Sequence, residues 1–362
     1  MTARELIDRR LSNQLLARTT SSRPEDVVAA LGAVQSQDYT GAKWALGARI
    51  AKLTDAEVDR AFDEGRILRT HILRPTWHFV APADIRWMLA LTAPRVHGFT
   101  SSYYRKHELE TKVFARCHKA ITRALEGGKH LTRNELQTAL RKAGIESDNL
   151  RLGLIVMHAE LSALICSGPR RGKQFTYALL EERVPATREL SGDEALAELT
   201  RRYVTSHGPV TVRDFSWWSG LSMADARRGL ATIASELDQH VLEDLTYYSS
   251  PRKITKRPAT PTAWLLPNYD EYFIAYKDRD LVLRSTPKPL PARPEFAHLL
   301  SIDGHLNGIW KRTFTPRTAG IELQTYRPLA KAERAAVDKA VKRYAGFLKL
   351  PVMLSTSALG GG

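Results

Sequence analysis

Leu6, Ile7, Leu11, Leu15 and Leu16 recur at steps of three and four through ELIDRRLSNQLLAR, which predicts an amphipathic helix. A second stripe, Val27, Val28, Leu31 and Val34 in SRPEDVVAALGAVQ, predicts another. Ser22 is its candidate cap, Pro24 fits the first turn, and Glu25 and Asp26 suit the positive end of the helix. The period then changes. ILRTHILRPTWHFVAP is rich in β-branched and aromatic residues and broken at Arg74-Pro75, which predicts two strands about a turn. Helices closed by a β-hairpin have the outline of a winged helix.

That outline recurs along the chain. In LTRNELQTALRKAGI, Thr132 and Glu135 have capping-box spacing. A longer helix follows, with Leu152, Ile155, Val156 and Ala159 on one side, and then SGPRRGKQFTYALLEERV, a predicted hairpin with Arg170, Arg171 and Lys173 at its tip. A third copy starts near Gly192, repeats the box at Ser222 and Asp225, and ends in strand-like HVLEDLTYYSS. After Tyr248 the chain turns basic and proline-rich. Turn-punctuated strands, the helix LAKAERAAVDKAVKRYAGFL and the short strand PVMLS close it. The expected fold is α+β: winged-helix units at 1–100, 101–188 and 189–265, then a strand-rich α+β module at 266–362.

Composition narrows the function. A chain of 362 residues with 43% hydrophobic content can bury more than one core. There is no run of about 18 apolar residues, and the N-terminus has a polar helical pattern, so a cytoplasmic protein without a membrane partner is expected. Cys117 and Cys166 stand far apart, outside any ligand spacing, and read as reduced, half-buried thiols; no metal and no cofactor are expected. Against 39 Asp and Glu stand 54 Lys and Arg, a net charge of +15. Such a field favours polyanions, and nucleic acid leads because no segment has the one-sided basic pattern of an interfacial helix.

Gln35 and Gln37 are the candidate chemistry. An amide moves no proton near neutral pH, yet each donates and accepts hydrogen bonds. On a continuous helix the two point about 200° apart. If the helix ends there, as Asp38 and Gly41 allow, both converge at the mouth of a groove; otherwise one caps the helix and the other is solvated. A turn centred on Arg74-Pro75 sets His71 opposite His78 on neighbouring strands. Core hydrogen bonding or phosphate contact suits that pair better than metal, since no third ligand is near. Trp77, Trp217 and Trp218 suit stacking on bases or filling core volume, and core is the preferred reading of the tryptophan pair. The cations of PRRGK (Arg170, Arg171, Lys173) and PRKITKR (Arg252, Lys253, Lys256, Arg257) suit phosphate contact or plain solvation. Arg69, Lys311 and Arg312 join them as candidate DNA contacts. Asp270 and Glu271 follow a buried-looking strand and read as structural.

Taken together, Gln-x-Gln, RPTWHFV, LLPNYDEYFIAYKDR and IDGHLNGIWKR resemble the tandem winged-helix DNA glycosylases of the AlkZ and YcaQ type, across nearly the whole chain. The resemblance implies that Gln35 and Gln37 are catalytic, as in the AlkZ-like Gln-x-Gln subgroup, with Asp38, His71, Arg74 and His78 as possible support. Ser36 departs from the hydrophobic residue usual between the glutamines, and Pro75 stands where glycine is common. The implied activity is monofunctional removal of N7-alkylguanine, bulky or crosslinked adducts included, from double-stranded DNA by a monomer, in alkylation repair or antibiotic self-resistance. The rivals are a winged-helix transcription regulator and a DNA-binding protein without chemistry.

Overall fold

The computed structural model describes residues 1–17, 21–185, 189–251, 259–284 and 294–358. Helix α1 (Ala3–Asn13) opens on a capping box, Thr2 with Glu5. Helix α2 (Pro24–Leu31) has Arg23, not Ser22, at its cap position and takes no side-chain hydrogen bond there. It stops three residues earlier than its apolar stripe suggests, because Gly32 adopts φ +79°, outside the helical region. Ala33 and Val34 therefore belong to strand β1 (Ala33–Gln35). The sequence reading passed over α3 (Tyr39–Gly47) and α4 (Asp55–Asp63), which follow before β2 (Leu68–Ile72) and β3 (Arg74–Val80). These strands form a sheet of order β1-β3-β2.

The same succession returns after the long helix α5 (Ile85–Lys106). It runs α6 (Thr111–Leu125), β4 (Leu131–Thr132), α7 (Arg133–Lys142), α8 (Asn149–Leu161), β5 (Ile165–Ser167) and β6 (Thr176–Leu179), with sheet order β4-β6-β5. Thr132 and Glu135 make the capping box on α7. A short helix α9 (Leu180–Arg183) ends the repeat. The third runs α10 (Gly192–His207), α11 (Val212–Ser219), α12 (Met223–Thr232), β7 (Asp238–Leu242) and β8 (Leu245–Ser249). Its first strand is reduced to a bridge between Val210 and Tyr248. HVLEDLTYYSS thus holds a hairpin rather than one strand, turning at Glu243 and Asp244, both at positive φ.

The closing module is a five-stranded sheet, β9 (Ala263–Leu266), β10 (His298–Ile302), β11 (His305–Phe314), β12 (Ala319–Thr325) and β13 (Val352–Ala358), in spatial order β13-β12-β11-β10-β9. Between β9 and β10 lie the single turns α13 (Glu271–Ile274) and α14 (Asp280–Leu283). Helix α15 (Lys331–Leu348) packs on β9 and also on α3 through Trp44, whose ring lies 4.7 Å from Tyr344. One core therefore joins the first repeat to this module, while a second runs through α5 and the other repeats. Cys117 and Cys166 are free and fully buried rather than half-buried.

The hairpin β2-β3 lies at the junction. Gly220 ends α11 at φ +71°, and a Cβ there would collide with the Leu73 carbonyl oxygen at the hairpin's turn. Left-handed strain and overpacking together predict that Gly220→Ala lowers stability by about 2–4 kcal/mol. A urea midpoint measured beside wild type checks this.

Candidate active site

β1 pairs antiparallel with β3, Gln35 opposite His78. The ladder runs one bond further, as the Ser36 N–H donates to the Trp77 carbonyl (2.8 Å). The Trp77 N–H reaches the Gln37 side-chain oxygen at 3.4 Å. Gln35 thus ends strand β1 and not a helix, while Gln37 lies in the bend just before Asp38, the cap residue of α3.

The hairpin turns at Leu73 (φ +64°), one residue before Arg74-Pro75. That shift changes the register: His78 lies opposite Thr70, and His71 opposite Trp77. The two histidines consequently occupy opposite faces of the sheet. Gln35, Thr70, Arg74, Thr76 and His78 share one face; Arg69, His71, Trp77 and Phe79 share the other.

The first face looks toward the third repeat and α13. Gln35 is 8% exposed, and its backbone N–H donates to the Glu271 carboxylate at 2.9 Å. Glu271, fully buried, also accepts from the Trp218 indole (3.0 Å) and has the His207 ring nitrogen at 3.5 Å. Burial opposes its charge, yet the neighbouring His207 and the Gln35 N–H hold its pKa below the ordinary value. The His78 ring meets the Thr76 carbonyl through Nδ1 (3.0 Å), so Nδ1 carries the proton and Nε2 is an acceptor. Burial, then the Arg74 charge, pushes its pKa down to about 3.

Among the described residues, His78 Nε2, Thr70 Oγ1, Thr76 Oγ1 and two nitrogens of Arg74 are buried without a hydrogen-bond partner. Buried polar groups are ordinarily paired. A row of unpaired ones beside a free amide is suited to hold water and substrate atoms. His78 is too weakly basic to take a proton near neutral pH, and the amides cannot. These groups can orient a water, while the neighbouring Glu271 carboxylate is engaged by the Gln35 N–H, the Trp218 indole and His207.

A neutral buried histidine makes stability depend on pH. Between about pH 6.5 and 3 the unfolded chain binds a proton at His78 that the folded chain refuses, so stability falls as pH falls through that window. Urea midpoints are expected to drop steadily from pH 7 to pH 5, less so in His78→Gln. A flat wild-type profile would count against a neutral His78.

The other predicted residues are scattered. Asp38 caps α3 through the Gly41 N–H (3.0 Å) and pairs with Arg312 (2.9 Å). His71 meets Glu160 of α8 at 2.5 Å. Arg170 is turned inward onto Asp59 (3.0 Å) and Asp63, and Arg171 pairs with Glu135 (2.7 Å). Lys173 and Lys311 are exposed. Arg252, Lys253, Lys256 and Arg257 lie outside the described residues. Trp218 is core, as its neighbours suggest, whereas Trp217 is 37% exposed under the Lys277 ammonium. Among the described residues no group of three or more His, Cys, Asp or Glu is placed to hold a metal, and no helix is long and apolar enough to cross a membrane.

Sequence reasoning missed Glu271 as the anchor of Gln35, and Arg49, which holds Asp270 next to it. A signal was present: two adjacent acids between apolar stretches, which buried cations or N–H groups must satisfy.

Three like helix-and-strand repeats and a strongly basic chain, with an enclosed amide among unpaired buried polar groups, describe a protein suited to handling nucleic acid. Comparison with known proteins sharpens this. The chain belongs to the AlkZ-like DNA glycosylase family, whose model matches residues 28–347. It is 25% identical over 370 residues to the interstrand DNA cross-link repair glycosylase of Streptomyces sahachiroi, covering 97% of this chain and 98% of that one. The solved structure of Streptomyces sahachiroi DNA glycosylase AlkZ superposes with a TM-score of 0.79 at 19% identity, over 99% of this chain and 100% of that chain. The protein is therefore a DNA glycosylase of mixed α+β fold, and the regulator reading falls away.

Proposed function

We propose that this enzyme hydrolyses the N-glycosidic bond of N7-alkylated guanine in double-stranded DNA, with Gln35 and Gln37 holding the attacking water. The observation that carries the proposal is the nearly enclosed Gln35 amide beside buried polar groups of His78, Thr70, Thr76 and Arg74 that have no hydrogen-bond partner among the described residues. Guanine alkylated at N7 is cationic and already a good leaving group, so its bond breaks through an oxocarbenium-like state that water meets from the opposite side. Such a reaction gains from positioning, worth up to about 7–11 kcal/mol in favourable cases, more than from deprotonation.

The repeats, read as three winged-helix units ahead of the strand-rich module, present the site to a duplex held mainly by its phosphates. The Streptomyces relative is named for interstrand crosslink repair, which supports bulky or crosslinked adducts as substrates here. Repair of alkylation damage and self-protection of an antibiotic producer are the roles this chemistry serves. The test is incubation of excess protein with a duplex carrying one N7-methylguanine, followed by alkali to reveal abasic sites. Release is expected; its absence with binding intact, for methyl and bulky adducts alike, would overturn the proposal.

A further inference from the structure

The opposite face of the same hairpin borders a cleft of about 370 Å³ against the second repeat, lined among others by Arg69, Trp77, Arg133, Lys173, Phe175 and Tyr177. No carboxylate lines it. Arg69 is the unusual member. Its guanidinium lies 4.4 Å from the Trp77 ring centre and 4.7 Å from that of Phe175, and the side chain is only 9% exposed. Among the described residues it has no acidic partner, and its one side-chain hydrogen bond goes from Nε to the Ser36 carbonyl (3.1 Å). The nearby Glu160 carboxylate is already engaged by His71.

A desolvated guanidinium with open donors and no salt-bridge partner among the described residues, joined by two more cations, is built for an anion with several oxygens. In a DNA glycosylase the anion at hand is the phosphodiester. Arg69 also grips the peptide joining the two glutamines, while Trp77 holds Ser36 and Gln37 from the next strand.

We propose that this cleft seats one backbone phosphate near the lesion, and that Arg69 is a positioning residue through which the seated phosphate aligns the Gln35–Gln37 segment. The rate role rests on the glycosylase reading above; the seat does not. The cleft lies across the strand from Gln35, so it receives a neighbouring nucleotide and not the base being cut.

Replacing single phosphates around the lesion by neutral methylphosphonates tests the seat. At one or two adjacent positions wild-type binding should weaken about tenfold, and Arg133→Gln/Lys173→Gln should lose several-fold less there, since only Arg69 remains to hold the phosphate. A control with the same charge change, Lys331→Gln/Lys339→Gln on α15, should show the wild-type pattern. Arg69→Lys should in addition lower the single-turnover rate at saturating protein at least tenfold. Equal losses in wild type and Arg133→Gln/Lys173→Gln at every position would overturn the seat, and a wild-type rate in Arg69→Lys would overturn the link. The binding scan uses unreactive duplex, so it decides the seat even if no base is released. The Arg133→Gln/Lys173→Gln variant, at a half-buried and an exposed position, keeps the seat testable if Arg69→Lys fails to fold.

Discussion

Gln35→Ala/Gln37→Ala is expected to slow single-turnover excision about 10²- to 10³-fold, the cost of removing a positioned hydrogen-bonding group from a preorganised site. Duplex affinity should change less than about threefold, since binding to DNA rests mainly on phosphate contacts. Gln35→Ala alone should account for most of the loss. Its backbone is pinned by Glu271 and its side chain is nearly enclosed, whereas Gln37 is exposed and tied only to the Trp77 N–H. The readout is abasic-site formation against time with protein in excess, beside a binding isotherm on the same duplex. Undiminished excision by the double variant would remove the amides from the mechanism.

The largest stability effect is expected at Asp270. Its carboxylate takes two hydrogen bonds from Arg49, at 2.8 and 2.9 Å, with both side chains fully enclosed. Asp270→Ala leaves the guanidinium buried and uncompensated, at a cost of about 3–5 kcal/mol, a large part of the roughly 5–15 kcal/mol that holds most domains folded. Arg49 also donates to the carbonyls of Gln14 and Ala45 and to the Gln14 side chain. The double change Arg49→Leu/Asp270→Leu should therefore remain about 1–3 kcal/mol below wild type rather than recover, because those acceptors lose their donor. Urea titrations of both variants decide it. Excision should fall in Asp270→Ala as well, since Asp270 caps the turn that carries Glu271 to Gln35.

Much of the repeat pattern was legible in residue periods, and what was not has physical reasons. Ala33 and Val34 fit a helical stripe and a strand equally well; Gly32 decides between them by its φ, and a lone glycine inside an apolar pattern is an ambiguous stop. The hairpin register turned on Leu73, a residue type that seldom adopts positive φ, so proline at 75 drew the turn one residue too far. The capping box at Thr132 and the serine cap at Ser222, which lacks the reciprocal bond of a full box, were readable because both partners are local. The grip of Glu271 on Gln35 was not, because no local pattern records a bond between distant segments.

That bond spans 236 residues, which gives the site a date of completion during synthesis. At about 5–20 residues per second, roughly 10–50 s separate the emergence of Gln35 from that of its anchor. Until then a nascent chain carries both glutamines and the hairpin beside them, but not the carboxylate that pins Gln35. On the mechanism proposed above, activity is acquired late and at one step, and a chain cut short before Glu271 keeps the basic repeats but lacks the anchor of Gln35.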